Sequence, residues 1–330
     1  MVWSLGMLVS IILPVYNCAD TIERCLRSIF GQEYQDFEVI AVDDCSADSS
    51  LETITQFVQQ LPAEQASKFH LLRHKENKGS GAARATGMRA AQGEYMIQID
   101  SDDYVAPHYL SRLIDASQGK ADMVICQLAY FDTTSTYTRN EHVECDKNYL
   151  LTKILTGEIH SSLCNKMMKT SIIRQQQIEP YQGLGIFDDM SVTYRVLWFC
   201  NEIRYVPEPL YFVDRTSLNS ATFSYREKAI PSLVNLRNQM LDFAQANRWS
   251  LSLRRALELF GVEMSCYMVR SIKPKNLSRY RSSYMPGLCA YSTIWKHPHI
   301  GAFGKIVATL AKAKLYPMIR IADFLYRIVR

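Results

Sequence analysis

Short, almost continuously apolar segments alternate with helical patterns between residues 9 and 99, and this alternation constrains the fold more than any other feature. The first of them, 9–15, is brief, β-branched and almost continuously apolar, which is typical of a buried strand. We predict strands at 9–15, 37–42, 70–73 and 94–99. Apolar residues recur at helical spacing after the first strand, at Ile22, Leu26 and Ile29. Repeated strand–helix–strand units predict an α/β fold with a mainly parallel sheet covered by helices on both faces.

Polar clusters follow three of the predicted strands. Tyr16 and Asn17 come after the first strand and Asp43 and Asp44 after the second, while the fourth strand runs into residues 100–103. In parallel sheets, ligands bind beyond the carboxyl ends of the strands. We therefore expect the three clusters to meet at one edge and to form a ligand site.

The most acidic of these clusters contains Asp100, Asp102 and Asp103. Three carboxylates in four residues repel one another, and a bound divalent cation would offset that repulsion. Hard cations such as Mg²⁺ or Mn²⁺ prefer carboxylate and phosphate oxygens. Taken alone, a cluster this short is more often an acidic solvated turn or a helix cap.

The order of several motifs reverses that preference, because together they resemble the family 2 glycosyltransferases of the GT-A fold. The motifs cover about residues 8–130, and their order and spacing match the family. They are Ser10-Ile-Ile-Leu-Pro-Val-Tyr-Asn17, Val42-Asp-Asp-Cys-Ser-Ala-Asp-Ser-Ser50, Asn77-Lys-Gly-Ser-Gly-Ala-Ala-Arg84, Ala91-Gln-Gly-Glu-Tyr95 and Ile99-Asp-Ser-Asp-Asp103. The resemblance implies a GT-A-type, mainly parallel nucleotide-binding sheet flanked by helices.

The resemblance also implies roles for residues of this donor half. Asp102 would bind a Mn²⁺ or Mg²⁺ ion that holds the donor diphosphate. Arg84 would pair with donor groups, since its planar fork suits phosphate and carboxylate oxygens. The residues implied to bind the donor are Pro14, Val15, Tyr16, Asn17, Asp44, Arg84, Asp100, Ser101 and Asp103.

The second half resembles the family more loosely, through Cys164-Asn-Lys-Met-Met168, Phe187-Asp-Asp-Met190 and Leu210-Tyr-Phe-Val-Asp-Arg215 with Asn219-Ser220. By this resemblance, Asp189 is the catalytic base that deprotonates the acceptor hydroxyl. Lys166, Asp188 and Arg215 are candidate contacts to the acceptor or the diphosphate. From the residues alone, Asp188 and Asp189 could equally be a helix N-terminal pair favoured by the helix dipole.

Three positions depart from the family pattern. Cys45 stands where a Gly is usual, so a positive φ is less comfortable there. Ala85 replaces a frequent Asn, and Asp188 replaces the usual Glu. These last two changes would alter donor or acceptor choice.

Charge is distributed unevenly along the chain. Residues 251–330 contain 14 Lys or Arg and 3 Asp or Glu, whereas the remaining residues carry a net negative charge. We expect a GT-A catalytic domain over 1–224, with a donor half at about 1–130 and an acceptor half at about 131–224, and a helical, basic region over 225–330. Within that region 303–330 reads as a basic amphipathic segment, which Pro317 should break.

Two interpretations of this segment stay open. It either contacts an anionic membrane, the interpretation that we favour, or packs on the catalytic domain with a solvated basic face. The nine scattered cysteines, the absence of a signal-peptide pattern and the lack of a long apolar run favour a cytoplasmic protein, peripheral on the cytoplasmic face of the membrane. We expect no nucleic-acid partner.

The sequence therefore predicts an inverting glycosyltransferase of hexosyl or N-acetylhexosaminyl type. It would move a sugar from a nucleotide diphosphate donor, a UDP-sugar by preference, to an acceptor hydroxyl in surface polysaccharide or glycolipid assembly. One alternative is a nucleotidyltransferase, although no basic phosphate-binding loop follows Leu13. Another is a degenerate transferase that only binds sugar or membrane, which the intact aspartates disfavour.

Overall fold

A computed structural model describes residues 6–133, 135–138, 141–184, 187–216, 227, 230–272, 274–288, 291–297 and 300–329. Its strands are β1 (Val9–Val15), β2 (Phe37–Asp43), β3 (Phe69–Arg73), β4 (Tyr95–Gln98), β5 (Tyr104–Val105), β6 (Met123–Phe131), β7 (Thr136–Thr138), β8 (Lys166–Lys169) and β9 (Ile203–Asp214). The four strands predicted from the apolar segments are β1 to β4, and all four are confirmed.

The first eight α-helices are α1 (Ile22–Phe30), α2 (Ser50–Gln59), α3 (Ala63–Ala66), α4 (Ser80–Ala90), α5 (Tyr109–Ser117), α6 (Lys147–Leu155), α7 (Thr170–Gln175) and α8 (Asp188–Phe199). They are followed by α9 (Ile230–Ala246), α10 (Leu251–Ser271), α11 (Arg281–Tyr284), α12 (Tyr291–Lys296), α13 (Ala302–Lys312) and α14 (Tyr316–Val329), with 3₁₀ turns at Pro274–Asn276 and Met285–Gly287. From residue 230 onward the described regular structure is helical, as the sequence predicts.

The strands form one sheet in the order β3-β2-β1-β4-β8-β6-β9-β5, with β7 paired to β6. The pairs β1–β2, β1–β4 and β2–β3 are parallel, which confirms the parallel arrangement predicted for the first four strands. Beyond β4 the sheet is mixed, since β8 runs antiparallel to both β4 and β6 whereas β9 runs parallel to β6. The α/β fold class is confirmed, and the sheet as a whole is mixed.

Helices cover both faces of the sheet. On one face, apolar side chains of β1 and β2 pack with α1 and α5 in a continuous core. On the other face α4 lies against β1 and β2. A Cβ atom at Gly87 of α4 would lie 2.5 Å from Ile12 Cγ2, so the glycine permits this close helix–sheet approach. The central strands are buried on both faces, which explains their nearly continuous apolar sequence.

The chain divides into two compact units. The first comprises Met1–Leu150, Ser161–Gly183 and Asp188–Leu218, and it contains the sheet. The second comprises Leu151–His160, Leu184–Phe187 and Asn219–Arg330. The predicted boundary between 224 and 225 lies outside the described residues, so the division into catalytic and basic domains stays a prediction.

The second unit is built around α10. This helix packs against α13, which in turn packs against α14. The break predicted at Pro317 is seen as the interruption between α13 and α14, with Pro317 in the first turn of the second helix. Across the described residues, no helix combines the length and the apolar character that crossing a bilayer requires.

The described cysteines are free thiols. Six of the eight are buried, as expected for small apolar residues, whereas Cys45 is half-buried and Cys145 is exposed.

Candidate active site

The carboxyl ends of β1, β2 and β4 lie side by side, because β1 pairs in parallel with both of the others. The polar clusters at 16–17, 43–44 and 100–103 therefore share one edge, as the sequence predicts. At this edge β1 ends with Pro14 and Val15, and the Tyr16 side chain that follows is half exposed. The sheet thus positions the residues that the family resemblance implicates in donor binding.

The loops after β1 and β2 are tied to each other. The Asn17 backbone N–H donates to Ser46 Oγ at 3.1 Å, and the Ala47 N–H donates to Asn17 Oδ1 at 2.8 Å. Asn17 and Cys45 both have positive φ, 46° and 63° respectively. Asn tolerates this left-handed conformation, but Cys is disfavoured in it. The strain anticipated at Cys45 from the missing Gly is therefore present.

Asp44 is buried, and its carboxylate accepts hydrogen bonds from other residues of the protein. Oδ1 accepts from the Lys78 backbone N–H at 2.9 Å, and Oδ2 accepts from the Gly79 N–H at 2.7 Å. His74 Nδ1 lies 2.7 Å from Oδ1 as well. Gly79 has a φ of 89°, which favours glycine at this position. Asp44 thus fixes the loop before α4, and its contact with a nucleotide base stays a prediction.

Asp103 is an anchor within the site. Its Oδ2 accepts from the Tyr211 hydroxyl at 2.7 Å, and its Oδ1 accepts from the Asp214 backbone N–H at 2.8 Å. The same Tyr211 oxygen accepts from the Asp100 N–H at 3.0 Å. These bonds hold the acidic turn against the end of β9. Burial and the charges of Asp102 and Asp100 raise the pKa of Asp103 well above its ordinary value.

Asp102 is more accessible than its neighbour. The residue is exposed, whereas Asp103 is buried. Its backbone carbonyl accepts from Arg24 Nη2 at 2.5 Å, and the same guanidinium nitrogen lies 2.6 Å from Asp214 Oδ2. Partial desolvation by surrounding protein atoms, and then the charge of Asp100, raise the pKa of Asp102 to about 6. Ser101, between Asp100 and Asp102, is half-buried.

One buried guanidinium connects this acidic turn with the start of α8. Arg84 Nη2 donates to Asp100 Oδ1 at 2.7 Å, while Nη1 forms a short ion pair with Asp188 Oδ2. Nη1 also lies 3.3 Å from Asp189 Oδ1. The Ser80 hydroxyl donates to Asp188 Oδ2 at 3.0 Å. Asp188 and Asp189 lie in the first turn of α8, and Arg84 brings them together with Asp100.

The surroundings of Asp189 disfavour its charged form. Its side chain is a quarter exposed, and Oδ2 accepts a long hydrogen bond of 3.4 Å from the Leu163 backbone N–H. Desolvation raises its pKa to about 7; Arg84 opposes this shift, whereas the charges of Asp188 and Asp100 add to it. Because α8 begins at Asp188, the helix dipole also favours negative charge here.

The remaining predicted contacts differ in accessibility. Lys166 is fully buried, with Nζ donating to the Ser162 carbonyl and to Asn165 Oδ1, each at 2.7 Å, and burial lowers its pKa to about 8. Arg215 is exposed at the end of β9, with its guanidinium carbon 4.9 Å from the centre of the Tyr130 ring. A role for either residue toward acceptor or diphosphate stays a prediction. Asn219 and Ser220 lie outside the described residues.

Sequence reasoning missed several residues that organise the site, namely Arg24, His74, Ser80, Tyr211 and Asp214. Tyr211 and Asp214 lie within a motif that was recognised, but no pattern indicated that they bond to Asp103. Arg24 and His74 lie outside the recognised motifs.

The fold and the site together define a class of protein. Parallel strands end in polar loops, an acidic turn lies at the same edge, and a second carboxylate pair is bonded to it through one arginine. That arrangement is typical of a transferase that acts on a phosphorylated nucleotide donor.

Comparison with known proteins identifies the family. Residues 10–178 match the model of glycosyl transferase family 2. The putative glycosyltransferase EpsH of Bacillus subtilis is 30% identical over 261 residues, which cover 77% of this chain and 74% of that protein. The poly(ribitol-phosphate) beta-glucosyltransferase of Bacillus spizizenii is 35% identical over 125 residues, or 37% of this chain and 19% of its own. The chain belongs to glycosyltransferase family 2 and is a glycosyltransferase.

Solved structures agree on the fold. S. aureus TarS residues 1–349, in complex with UDP, superimposes with a TM-score of 0.70 at 18% identity, covering 98% of this chain and 92% of that one. The mannosyltransferase PcManGT of Pyrobaculum calidifontis, in complex with GDP-Man and Mn²⁺, gives a TM-score of 0.55 at 16% identity, covering 92% and 86%. These similarities show the GT-A-type fold expected from the sequence.

Proposed function

We propose that this chain is an inverting glycosyltransferase that uses a nucleotide diphosphate sugar, with UDP as the nucleotide, and that Asp189 is its catalytic base. The observation that carries the proposal is the Arg84 bridge. One guanidinium bonds Asp100 on the donor edge and approaches Asp189 at 3.3 Å. The bridge ties the proposed donor edge to the proposed base, which supports the positioning that a direct displacement needs.

The acceptor chemistry follows from the state of Asp189. A carboxylate whose pKa is about 7 is half ionised at neutral pH and is basic enough to remove a proton from a hydroxyl as that hydroxyl attacks. The acceptor oxygen then forms a bond to the anomeric carbon while the bond from that carbon to the diphosphate breaks. The proton goes to Asp189, and the electron pair leaves with the nucleoside diphosphate. A single displacement of this kind inverts the anomeric configuration.

The donor edge fits a divalent cation. Asp103 has both carboxylate oxygens bonded to protein donors, whereas Asp102 is exposed beside it. A cation would offset the mutual repulsion of these acids, and Mg²⁺ is commonly held by one or two carboxylates together with phosphate oxygens. Within the described residues, no group of three or more His, Cys, Asp or Glu side chains is arranged to hold a metal ion by itself. We propose that Asp102 and the donor diphosphate hold Mn²⁺ or Mg²⁺, which would neutralise charge on the leaving group.

The same proposal extends to sugar type and cellular role. The relative that glucosylates poly(ribitol-phosphate) supports a hexosyl group and a polymeric acceptor, and the complexes of TarS with UDP and UDP-GlcNAc support a UDP-sugar donor of hexosyl or N-acetylhexosaminyl type. We place the activity in surface polysaccharide or glycolipid assembly, in the cytoplasm and peripheral to the membrane. The catalytic domain would be 1–224 and the basic region 225–330.

The test compares Asp189→Asn with Asp115→Asn, an aspartate that is exposed on α5. Both changes remove one carboxylate charge and keep the side-chain shape. A panel of nucleotide sugars is first screened by donor-dependent thermal stabilisation, because a bound ligand raises the apparent stability. With the donor found, transfer and donor hydrolysis are measured for both variants. Loss of turnover by about 10²-fold or more in Asp189→Asn alone supports the base assignment; full turnover by that variant contradicts it.

A further inference from the structure

The second unit exposes an apolar strip where α14 begins. Leu315, Met318 and Ile321 are 45%, 50% and 58% exposed. Leu315 directly precedes α14, and Met318 and Ile321, three residues apart within it, lie on the same side of the helix. Ile319 is only 5% exposed and points to the packed side of α14. The outward side of this helix therefore presents large apolar side chains to solvent.

Cations surround the strip. Lys314 and Arg320 are exposed beside it. Residues 300–329 contain five basic residues and one acidic residue, Asp323, so the local charge is positive. We call Lys314, Leu315, Met318, Arg320 and Ile321 together the α14 face.

The positive charge of the α14 face favours an anionic membrane as its binding partner over a second copy of the chain. A second copy of the chain, docked by two-fold symmetry, would bring the same cations opposite one another, and this repulsion disfavours self-association. An anionic bilayer offers both complements, since its headgroups attract Lys and Arg and its acyl boundary accepts exposed apolar side chains. We propose that the α14 face binds the surface of an anionic membrane, with Met318 and Ile321 entering the acyl boundary and Lys314 and Arg320 contacting headgroup phosphates. α14 then lies in the plane of the interface.

The test measures sedimentation of the full chain with vesicles of phosphatidylcholine, with and without phosphatidylglycerol. Met318→Ser combined with Ile321→Ser removes the apolar part of the face. Lys314→Gln combined with Arg320→Gln removes its charge. Leu241→Ser combined with Leu251→Ser is the matched control, because those leucines are 49% and 84% exposed in α9 and α10.

We expect the wild type to bind the anionic vesicles and to bind pure phosphatidylcholine much more weakly. The charge variant should lose about fivefold in partition per cation removed, and the apolar variant about tenfold in total. The leucine control should bind as the wild type does, and all variants should keep the wild-type circular dichroism and thermal midpoint.

Any of three outcomes would overturn the proposal. The first is a wild type that does not bind anionic vesicles, and the second is a leucine control that loses as much binding as the α14 variants. The third is a change of oligomeric state in the α14 variants in vesicle-free solution. The last outcome would assign the face to contact between copies. Sugar transfer to a soluble acceptor is measured in parallel, and it should be unchanged, so failure of this proposal is distinguishable from failure of the proposed function.

Discussion

Replacing Arg84 with Met should shift the pH dependence of catalysis, because the charge of Arg84 is the main influence that lowers the pKa of Asp189. Two unit charges about 4 Å apart interact by about 4 kcal/mol at an effective dielectric constant of about 20. The guanidinium also serves Asp100 and Asp188, so we assign about 1.5–3 kcal/mol of this to Asp189. At about 1.4 kcal/mol per unit, its pKa should rise by about one to two units.

The direction follows from the base role proposed for Asp189. Only the ionised carboxylate accepts the proton, so kcat/KM of the wild type should rise with pH through a pKa of about 7. In Arg84→Met this limb should move to a pH that is higher by about one to two units. At pH 7 the ionised fraction should fall by about 5- to 50-fold, and most of the activity should return at higher pH.

The assay is the pH profile of kcat/KM for donor-saturated transfer by the wild type, Arg84→Met and Arg84→Lys. Arg84→Lys keeps the charge but loses the fork, so its limb should lie between the other two. Arg89→Met is the control, since Arg89 belongs to the same helix but pairs at the surface with Glu179. An unshifted limb in Arg84→Met, or one that moves to lower pH, would refute the reasoning.

Three further outcomes are expected. Asp103→Asn replaces one buried acceptor, of either the Tyr211 hydroxyl or the Asp214 N–H, by a donor. The free energy of unfolding measured by urea titration should therefore fall by about 1–3 kcal/mol. An unchanged midpoint would contradict the anchor role of Asp103. In the same titration, Cys45→Gly should leave the free energy of unfolding unchanged or raise it, because residue 45 has a φ of 63°. Cys45→Val should lower it by about 1–2 kcal/mol or more. Equal stabilities of the two variants would show that the turn relaxes. Chelation of divalent cations should abolish transfer, and added Mn²⁺ should restore it. Asp102→Asn should need more Mn²⁺ than the wild type for the same activity. An identical metal titration in the variant would contradict the assignment of Asp102 as a metal ligand.

The donor half of the fold was predictable because its signals are local. β1, β2 and β4 are buried apolar runs followed by polar clusters, so these strands and their shared edge followed from the sequence alone. β3 was predicted as well, although it lies at the edge of the sheet and is partly exposed. The positive φ at Cys45 was also anticipated, because a motif that usually has Gly there marks a left-handed position.

The rest depends on contacts between distant parts of the chain. β8 lies between β4 and β6 and pairs antiparallel with both, and the sequence of its four residues does not predict that pairing. The partners of Asp103 lie more than a hundred residues away on β9, and Arg84 meets Asp188 over a similar separation. Such pairings are set by tertiary packing, which single-sequence patterns do not encode.

The direction in which C-terminal side chains point was likewise beyond the pattern. The sequence groups Ile319 with the other apolar residues of 303–330, but Ile319 is buried, while Leu315 and Ile321 are exposed. Periodicity identifies an amphipathic helix without saying which apolar residues its own unit covers.

The anomeric configuration of the product tests the central claim most directly. Once the donor and an acceptor are identified, the coupling constant of the new glycosidic proton is measured by NMR at early times and compared with that of the donor sugar. A single displacement assisted by Asp189 predicts inversion, with no covalent sugar adduct on the protein. A product that keeps the configuration of the donor would contradict the mechanism and the assignment of Asp189 as its base.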